Sequence, residues 1–173
     1  MPQQEEIFIR YIRENKGIIY KICNSYCSIP GDRQDLAQEI IYQLWKSFGT
    51  FDPAYRFSTW MYRVALNVAI SFYRQEKKQL SKYPLSEELV VLEPDKDTAV
   101  ETEKNLQLLQ QFINELKEID KAIILLYLDN HSHREIAGIT GFTENNIATR
   151  INRIKEKLRS GFLTNKNRSD GTG

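Results

Sequence analysis

Residues 132–158 read SHREIAGITGFTENNIATRINRIKEKL, and this stretch decides the fold. Ser132 and Glu135 stand in the Ser-x-x-Glu spacing of a capping box, in which each side chain satisfies a backbone N–H at a helix start. Ile136, Ala137 and Ile139 then give a short helix one apolar face. Gly141 suits a left-handed turn, because it has no Cβ to clash there. Thr143 is placed to cap a second helix. At about 100° per residue, Ile147, Ile151, Ile154 and Leu158 fall on one narrow stripe that can dock on the first helix. Two helices joined through such a turn form a helix-turn-helix.

The side away from the isoleucine stripe carries Asn145, Thr149, Asn152, Arg153 and Glu156. Asn and Arg can pair bidentately with adenine and guanine edges, while Arg150, Lys155, Lys157 and Arg159 can reach phosphates. The alternative is the solvated face of an ordinary helical hairpin. The capping, the glycine turn and the uncharged amides at the exposed N-terminal end together favour DNA.

Upstream, apolar residues recur at near-helical spacing from Ile7 to Tyr26, predicting a helix over 5–27 that stops at Ile29-Pro30-Gly31. Asp32 can cap a second helix running to about Phe48, with Asp35 favouring its positive end. Residues 49–56 form a loop, and Ser58 can cap a third helix to about Leu80. Between Ser81 and Asp97 the period disappears, Pro84 and Pro94 interrupt the chain and acidic residues accumulate. Thr98 and Glu101 restart a helix through a second capping box, and a further helix spans about 118–128. No stretch alternates apolar and polar residues long enough for a sheet. The reading is all-α: two small helical domains, 1–80 and 99–163, joined by a flexible acidic linker (81–98) and followed by a disordered tail (164–173).

Hydrophobic residues at 41% and charged residues at 27% describe a globular chain. The net charge of +1 conceals a pattern: 11 Lys+Arg against 8 Asp+Glu in residues 1–80, 3 against 7 in 81–104, and 10 against 8 in 105–173. Patches, and not totals, attract phosphates, so the near-neutral whole leaves DNA binding open. Cys23 and Cys27 lie four apart and can share one helix face; with His131 and His133 distant in sequence, buried free thiols are favoured over a metal site. No metal and no cofactor is expected. No apolar run approaches the roughly 20 residues needed to span a bilayer, so a cytoplasmic protein without membrane insertion is expected. An enzyme would need convergent polar residues in a core, and here they fall on surface arcs.

On the third helix, FSTWMYRVALNVAISFYR (57–74), Trp60, Met61, Val64, Ala65, Val68 and Phe72 form a core arc. The other arc gathers Tyr62, Arg63, Leu66, Asn67, Ile70, Tyr73 and Arg74. Aromatic rings interleaved with guanidinium groups suit a single strand, since rings stack on bases and cations follow phosphates. Partner-helix packing is the competing reading for Leu66 and Ile70.

Together with DLAQEIIYQLWKSF (35–48), that helix and the helix-turn-helix resemble, in order and over nearly the whole chain, the extracytoplasmic-function sigma factors of bacterial RNA polymerase. The resemblance implies a protein that binds core RNA polymerase and directs it to promoter DNA. Asp35, Leu36, Gln38 and Glu39 match the family's docking helix, with Leu44 and Trp45 at its core positions. Minus-ten DNA would be met by Tyr62, Arg63, Asn67, Tyr73 and Arg74, with Phe51, Asp52 and Tyr55 of the preceding loop nearest a flipped base. Minus-thirty-five DNA would be met by Thr143, Asn145, Asn146, Thr149, Arg150, Asn152, Arg153 and Lys157. The family commonly has proline where Lys117 stands and a basic residue where Ala148 stands; the second departure puts one DNA contact in doubt. The resemblance further implies a monomer when free, controlled by a separate anti-sigma protein. The rival readings are a dimeric helix-turn-helix regulator that never enters the polymerase, and a protein-interaction module. A dimeric regulator would use the N-terminal half as a ligand pocket or dimer interface.

Overall fold

The computed structural model describes residues 2–82 and 101–170, which form helices, short turns and no strand. The expected linker, with Pro84, Pro94 and the Thr98 cap, lies outside the described residues.

The first bundle consists of α1 (Pro2–Tyr26), α2 (Pro30–Ser47) and α3 (Phe57–Lys82). Leu36, Ile40 and Leu44, one turn apart along α2, are fully buried, each worth about 1.5–3 kcal/mol relative to an exposed side chain. At one end Phe8, Tyr11, Phe48, Phe51, Phe57 and Trp60 form a ring cluster, including a Tyr11–Phe57 stack at 4.5 Å and a Phe57–Trp60 contact at 5.4 Å. Trp60 is therefore a packing residue, as its arc on the wheel implied.

Both expected caps in this bundle are displaced. Ile29, which offers no side-chain cap, precedes α2, and Pro30 occupies its first turn, where a missing N–H removes a donor that would have no partner. Asp32 sits inside that turn, where its charge still favours the helix N-terminus. The third helix begins at Phe57, so Ser58 is already within it; the Arg56 carbonyl accepts from the N–H groups of Thr59 and Trp60. The intervening loop opens with a 3-10 turn over Phe48–Thr50 and closes on Asp52, whose Oδ1 accepts from the Ala54 N–H at 2.9 Å.

The second bundle consists of α4 (Glu101–Asn114), α5 (Glu118–Leu128), α6 (His133–Thr140) and α7 (Glu144–Asp170). The capping box forms as its spacing implied: the Glu135 N–H donates to Ser132 Oγ at 3.2 Å and the Ser132 N–H to Glu135 Oε2 at 2.8 Å. Gly141 adopts φ 82°, and Thr143 Oγ1 accepts from the Asn146 N–H at 3.2 Å. Lys117 precedes α5 with φ −60°, the angle a proline would impose, so its side chain replaces the ring without changing the helix start.

One boundary is corrected. The disordered tail expected from residue 164 is helical to Asp170 as the end of α7. The extension is anchored where Phe162 meets Phe112 edge-on at 5.4 Å. A Cβ at Gly161 would stand 2.7 Å from the Phe112 ring, so the missing side chain is what lets α4 approach α7 this closely.

The two bundles pack through α1 and α3 on one side and α4, α5 and α6 on the other. Lys121 of α5, itself buried, donates to the Ser25 carbonyl at 2.9 Å, and the Tyr26 O–H donates to the Glu118 carbonyl at 2.6 Å.

Candidate functional site

On α2 the helical register divides the expected docking residues. Asp35, Gln38 and Glu39 are exposed, and Gln43 Nε2 donates to Glu39 Oε1 at 2.8 Å. Leu36 is 0% exposed; it positions the other three and cannot itself touch a partner. Leu44 is core as expected, whereas Trp45 is 43% exposed. Its ring meets Phe8 edge-on at 5.0 Å and lies parallel to Phe48 at 6.4 Å, with the remainder open, because the stripe Leu36–Ile40–Leu44 already fills the bundle. Trp45 joins Ile9, Ile41 and Tyr42 in an apolar groove edged by Gln38 and Glu5. This groove was missed in sequence. Its signal was there: Ile41, Tyr42 and Trp45 make the apolar stripe of α2 wider than a helix in a three-helix bundle requires.

On α3 the two arcs behave differently from expectation. Of the core arc, Met61 and Ala65 are fully buried and Trp60, Val64, Val68 and Phe72 only partly, whereas Tyr62, Leu66 and Ile70 on the other arc are buried as well. Tyr62, 1% exposed, donates its O–H to Asp129 Oδ2 at 2.5 Å and meets the His131 ring edge-on at 5.2 Å. Asp129 also accepts from Lys21 Nζ. Burial pushes the Tyr62 phenol above its usual range, reinforced by the Asp129 carboxylate. Burial alone would raise Asp129, but the hydrogen bonds from Lys21 and Tyr62 outweigh it and hold the carboxyl below its usual value. Arg74 Nε donates to Glu118 Oε1 at 2.9 Å, and Lys121 Nζ stands 5.5 Å from the centre of the Tyr73 ring. The Glu118 carboxyl is lowered first by its own backbone N–H and then by Arg74.

Arg63 and Asn67 remain exposed, and Asn67 shares a groove between α2 and α3 with Asp35, Glu39, Gln43 and Phe72. In the loop, Tyr55 is 71% exposed and Asp52 exposed. Phe51 is committed to the ring cluster, 5.3 Å from both Phe57 and Trp60, and would have to leave it to meet a base.

On α7 the isoleucine stripe is buried at Ile147, Ile151 and Ile154, and Asn145, Thr149, Asn152, Arg153 and Lys157 are exposed opposite. Arg150 is not free: its Nε donates to Asn146 Oδ1 at 2.8 Å, its Nη1 to Asp120 Oδ1 at 2.8 Å, and it lies over Phe142 at 4.8 Å. Arg150 and Asn146 thus brace α7 against α5. Lys155 Nζ likewise donates to the Tyr127 hydroxyl oxygen at 2.6 Å, and the Thr143 hydroxyl accepts the capping bond.

Cys23 and Cys27 are buried, and burial pushes their thiols up to about 11 and about 12, where the nucleophilic thiolate is scarce at neutral pH. Among the described residues there is no group of three or more metal-ligating side chains, and no helix is long and apolar enough to cross a membrane.

Comparison with known proteins agrees with this division into two bundles. Residues 11–79 match the model for Sigma-70 region 2, and residues 106–158 match that for Sigma-70 region 4, together more than two-thirds of the chain. The chain is 27% identical over 170 residues to the ECF RNA polymerase sigma factor SigW of Bacillus subtilis (strain 168), covering 90% of this chain and 88% of SigW. It is 26% identical over 159 residues to the ECF RNA polymerase sigma factor RpoE of Cereibacter sphaeroides, covering 89% and 83%. In fold it resembles the sigma factor RpoE from Bartonella quintana, solved with the anti-sigma factor NepR, at a TM-score of 0.73 and 18% identity over 91% of this chain and 98% of that one. It also resembles CnrH, solved with the cytosolic domain of CnrY, at 0.65 and 17% over 92% and 90%. With a helix-turn-helix in the second bundle and both sigma regions in order along the chain, the chain belongs to the sigma-70 family as an extracytoplasmic-function sigma factor, a transcription-initiation factor.

Proposed function

We propose that this sigma factor binds core RNA polymerase through α2, reads minus-thirty-five DNA with α7, and captures and opens minus-ten DNA with α3 and the loop before it. The observation that carries the reading is the exposure pattern of α2: Gln38 edges an apolar groove containing 56%-exposed Tyr42, and Asp35 and Glu39 face outward along the neighbouring groove between α2 and α3. Exposed aromatic and aliphatic side chains edged by polar residues are the composition of a protein-docking surface. The polymerase performs the chemistry; this chain places and opens the DNA.

Sequence is read at α7 by Asn145, Thr149, Asn152 and Arg153, with Lys157 on phosphate. Strand capture rests on Tyr55, Asp52, Arg63 and Asn67, which are exposed in the closed arrangement, and on Tyr62, Tyr73 and Arg74 once α3 is uncovered. Unstacking a base costs a few kcal/mol, offset by stacking and pocket contacts of about 1–3 kcal/mol per base. The free protein is a cytoplasmic monomer, held in check by an anti-sigma protein, as the anti-sigma factor NepR partners the sigma factor RpoE of similar fold.

Purified protein, core polymerase and a panel of promoters test this together. Transcription and permanganate-reactive thymines at minus ten are expected with the wild type, loss of core pull-down with Glu39→Arg, and slower opening with Asn67→Ala despite normal core binding. Wild-type pull-down by Glu39→Arg would remove the docking assignment, and wild-type opening by Asn67→Ala would move strand capture elsewhere.

A further inference from the structure

The arc of α7 opposite the buried isoleucines is narrower in chemistry than its composition implied. Asn146 and Arg150 are bonded to each other, and Arg150 also reaches Asp120 and lies over Phe142, so both are committed to holding the helix. Ala148 adds no polar group. Of the residues exposed on that side, Asn145, Thr149 and Asn152 fall within about 60° of one another at about 100° per residue. They form a line along the middle of the arc, with Arg153 at its edge. The line itself carries no charge.

Hydrogen bonding within α7 defines the line further. The Thr149 hydroxyl donates to the Asn145 carbonyl at 2.9 Å, so its proton is spent on the helix and the γ-methyl is the group it can offer. Asn145 and Asn152 are two turns apart, about 10.5 Å at about 1.5 Å per residue. That is the rise of about three base pairs at about 3.4 Å each. An asparagine amide pairs bidentately with adenine, whose major-groove edge offers the N6 amino group and N7, and a methyl packs against the methyl of thymine.

We propose that α7 reads its duplex by direct contact with A·T pairs. Asn145 and Asn152 each take the N6 and N7 edge of an adenine, about three base pairs apart, and the Thr149 methyl takes a thymine methyl between them. This rests on the assignment of α7 to minus-thirty-five DNA, and adds to it which bases are read and by which atoms. Asn146 and Arg150 are positioning residues: through Asp120 they tie the start of α7 to α5 and so fix the angle at which the two amides meet the groove. Glu156, one turn beyond Asn152 on the same line and exposed, bounds the run, since a carboxylate only accepts and cannot donate to adenine N7.

An A·T-rich site can instead be recognised by its shape, and base analogues separate the two. Holoenzyme made from the full chain and core polymerase is given a duplex library that keeps one transcribed promoter's minus-ten element and is randomised over the minus-thirty-five segment. Selected duplexes should carry two adenines about three base pairs apart with an A·T pair between. In such a duplex 7-deazaadenine, which replaces N7 by C–H and still pairs with thymine, should weaken binding on the order of fivefold at either position, the lower end of what a bidentate pair is worth. Asn145→Ala should abolish this sensitivity at one position and Asn152→Ala at the other. Uracil in place of the intervening thymine should cost about threefold, the loss of one methyl contact. Thr149→Ser, which keeps a hydroxyl for the Asn145 carbonyl but lacks the methyl, should bind the thymine and uracil duplexes alike. All three positions are exposed, so the variants should unfold as the wild type does.

Wild-type affinity for the 7-deazaadenine duplexes would overturn direct reading and leave shape as the source of any A·T preference. Selection of duplexes without the paired adenines would overturn it as well. Sensitivity to the analogue that survives in both asparagine variants would overturn the assignment of the amides. Holoenzyme that transcribes yet selects no upstream sequence at all would instead strike the assignment of α7 to minus-thirty-five DNA, and would be seen before any analogue is used.

Discussion

The two helices assigned to DNA, α3 and α7, have similar length and similar amphipathic patterning, yet they meet solvent in opposite ways. In α7 one arc is buried against α5 and α6, and the arc opposite, with Asn145, Thr149, Asn152 and Arg153, is open. In α3 the arc expected to be core is fully buried only at Met61 and Ala65, and Tyr62, Leu66 and Ile70 of the other arc are buried too, Tyr62 against Asp129 of the second bundle. Burial on both arcs therefore does not make all of α3 core. A residue can be fully enclosed because its own domain needs it, or because another domain has closed on it, and exposure alone does not distinguish these. A partner can: the Tyr62 O–H ends on Asp129 of the second bundle, 67 positions away.

The sharpest way to break that distinction is to shorten neighbours of equal burial. Met61→Ala removes a side chain that is 0% exposed and should cost about 2–5 kcal/mol of stability in denaturant unfolding followed by helical signal. Tyr62→Phe, one position on and also enclosed, deletes only the bond to Asp129 and should leave the unfolding of the first bundle nearly unchanged while opening the contact between bundles. A comparable loss of first-bundle stability in both variants would show that Tyr62 is core and that the comparison with α7 is wrong.

Next in size is Arg153→Ala on the open arc of α7. Footprinting with holoenzyme should show a loss of about 1–3 kcal/mol at the preferred minus-thirty-five base, the value of a bidentate contact, with no change in unfolding. A loss spread evenly over all upstream sequences would put Arg153 on phosphate. Arg150→Ala should do the opposite, lowering stability by releasing Asp120 and Asn146, because its guanidinium braces α7 and does not face outward.

Smaller again is Gly141→Ala, at φ 82° between α6 and α7. A Cβ meets no neighbour there, so the expected cost, about 1–2 kcal/mol in unfolding, is that of placing an L side chain in a left-handed conformation. A neutral result would mean that the turn relaxes, and that α7 is aimed by packing on α5 more than by the turn.

These cases also mark what the sequence could disclose. The helix-turn-helix was legible to single residues, since Ser132, Glu135, Gly141 and Thr143 act through neighbours two to four positions away. Local rules also located α5. They failed at the starts of α2 and α3, where Pro30 and the Arg56 carbonyl begin helices without the side-chain caps that Asp32 and Ser58 suggested. Leu36 and Trp45 exchanged expected roles because a motif gives residue types, and only the bundle's geometry says which of them the core has room for. The apolar groove at Ile41, Tyr42 and Trp45 was visible only as an overwide stripe. The closure over α3 was not visible at all: the partners of Tyr62 and Arg74 are 67 and 44 positions away, and nothing in the local pattern joins them. For α7 the helix docks on its own bundle through a regular isoleucine spacing, so its open arc followed by subtraction.

The smallest effect concerns acid, and it separates the two helices once more. Asp129 faces Lys21 from α1, Tyr62 from α3 and His131 from its own turn, while Glu118 faces Arg74 and Lys77 from α3. Both carboxyls are lowered in the closed arrangement, so each binds its proton less readily closed than open. Their contribution is then complete above the ordinary carboxylate range, near pH 4, and fades as pH falls through the lowered values. Closure should accordingly be flat from pH 5 to 8 as far as these two groups are concerned, and weaken only below about pH 4, by no more than about 1 kcal/mol for each partly exposed pair. Energy transfer between α1 and α7, followed against pH at low salt, reads this directly. Glu118→Gln with Asp129→Asn should remove the acid-dependent fall while retaining the Tyr26 and Lys121 contacts, which involve no carboxylate. An acid-induced fall that survives in this variant would place the titrating group elsewhere, and would leave the two carboxylates without a share in holding the bundles together.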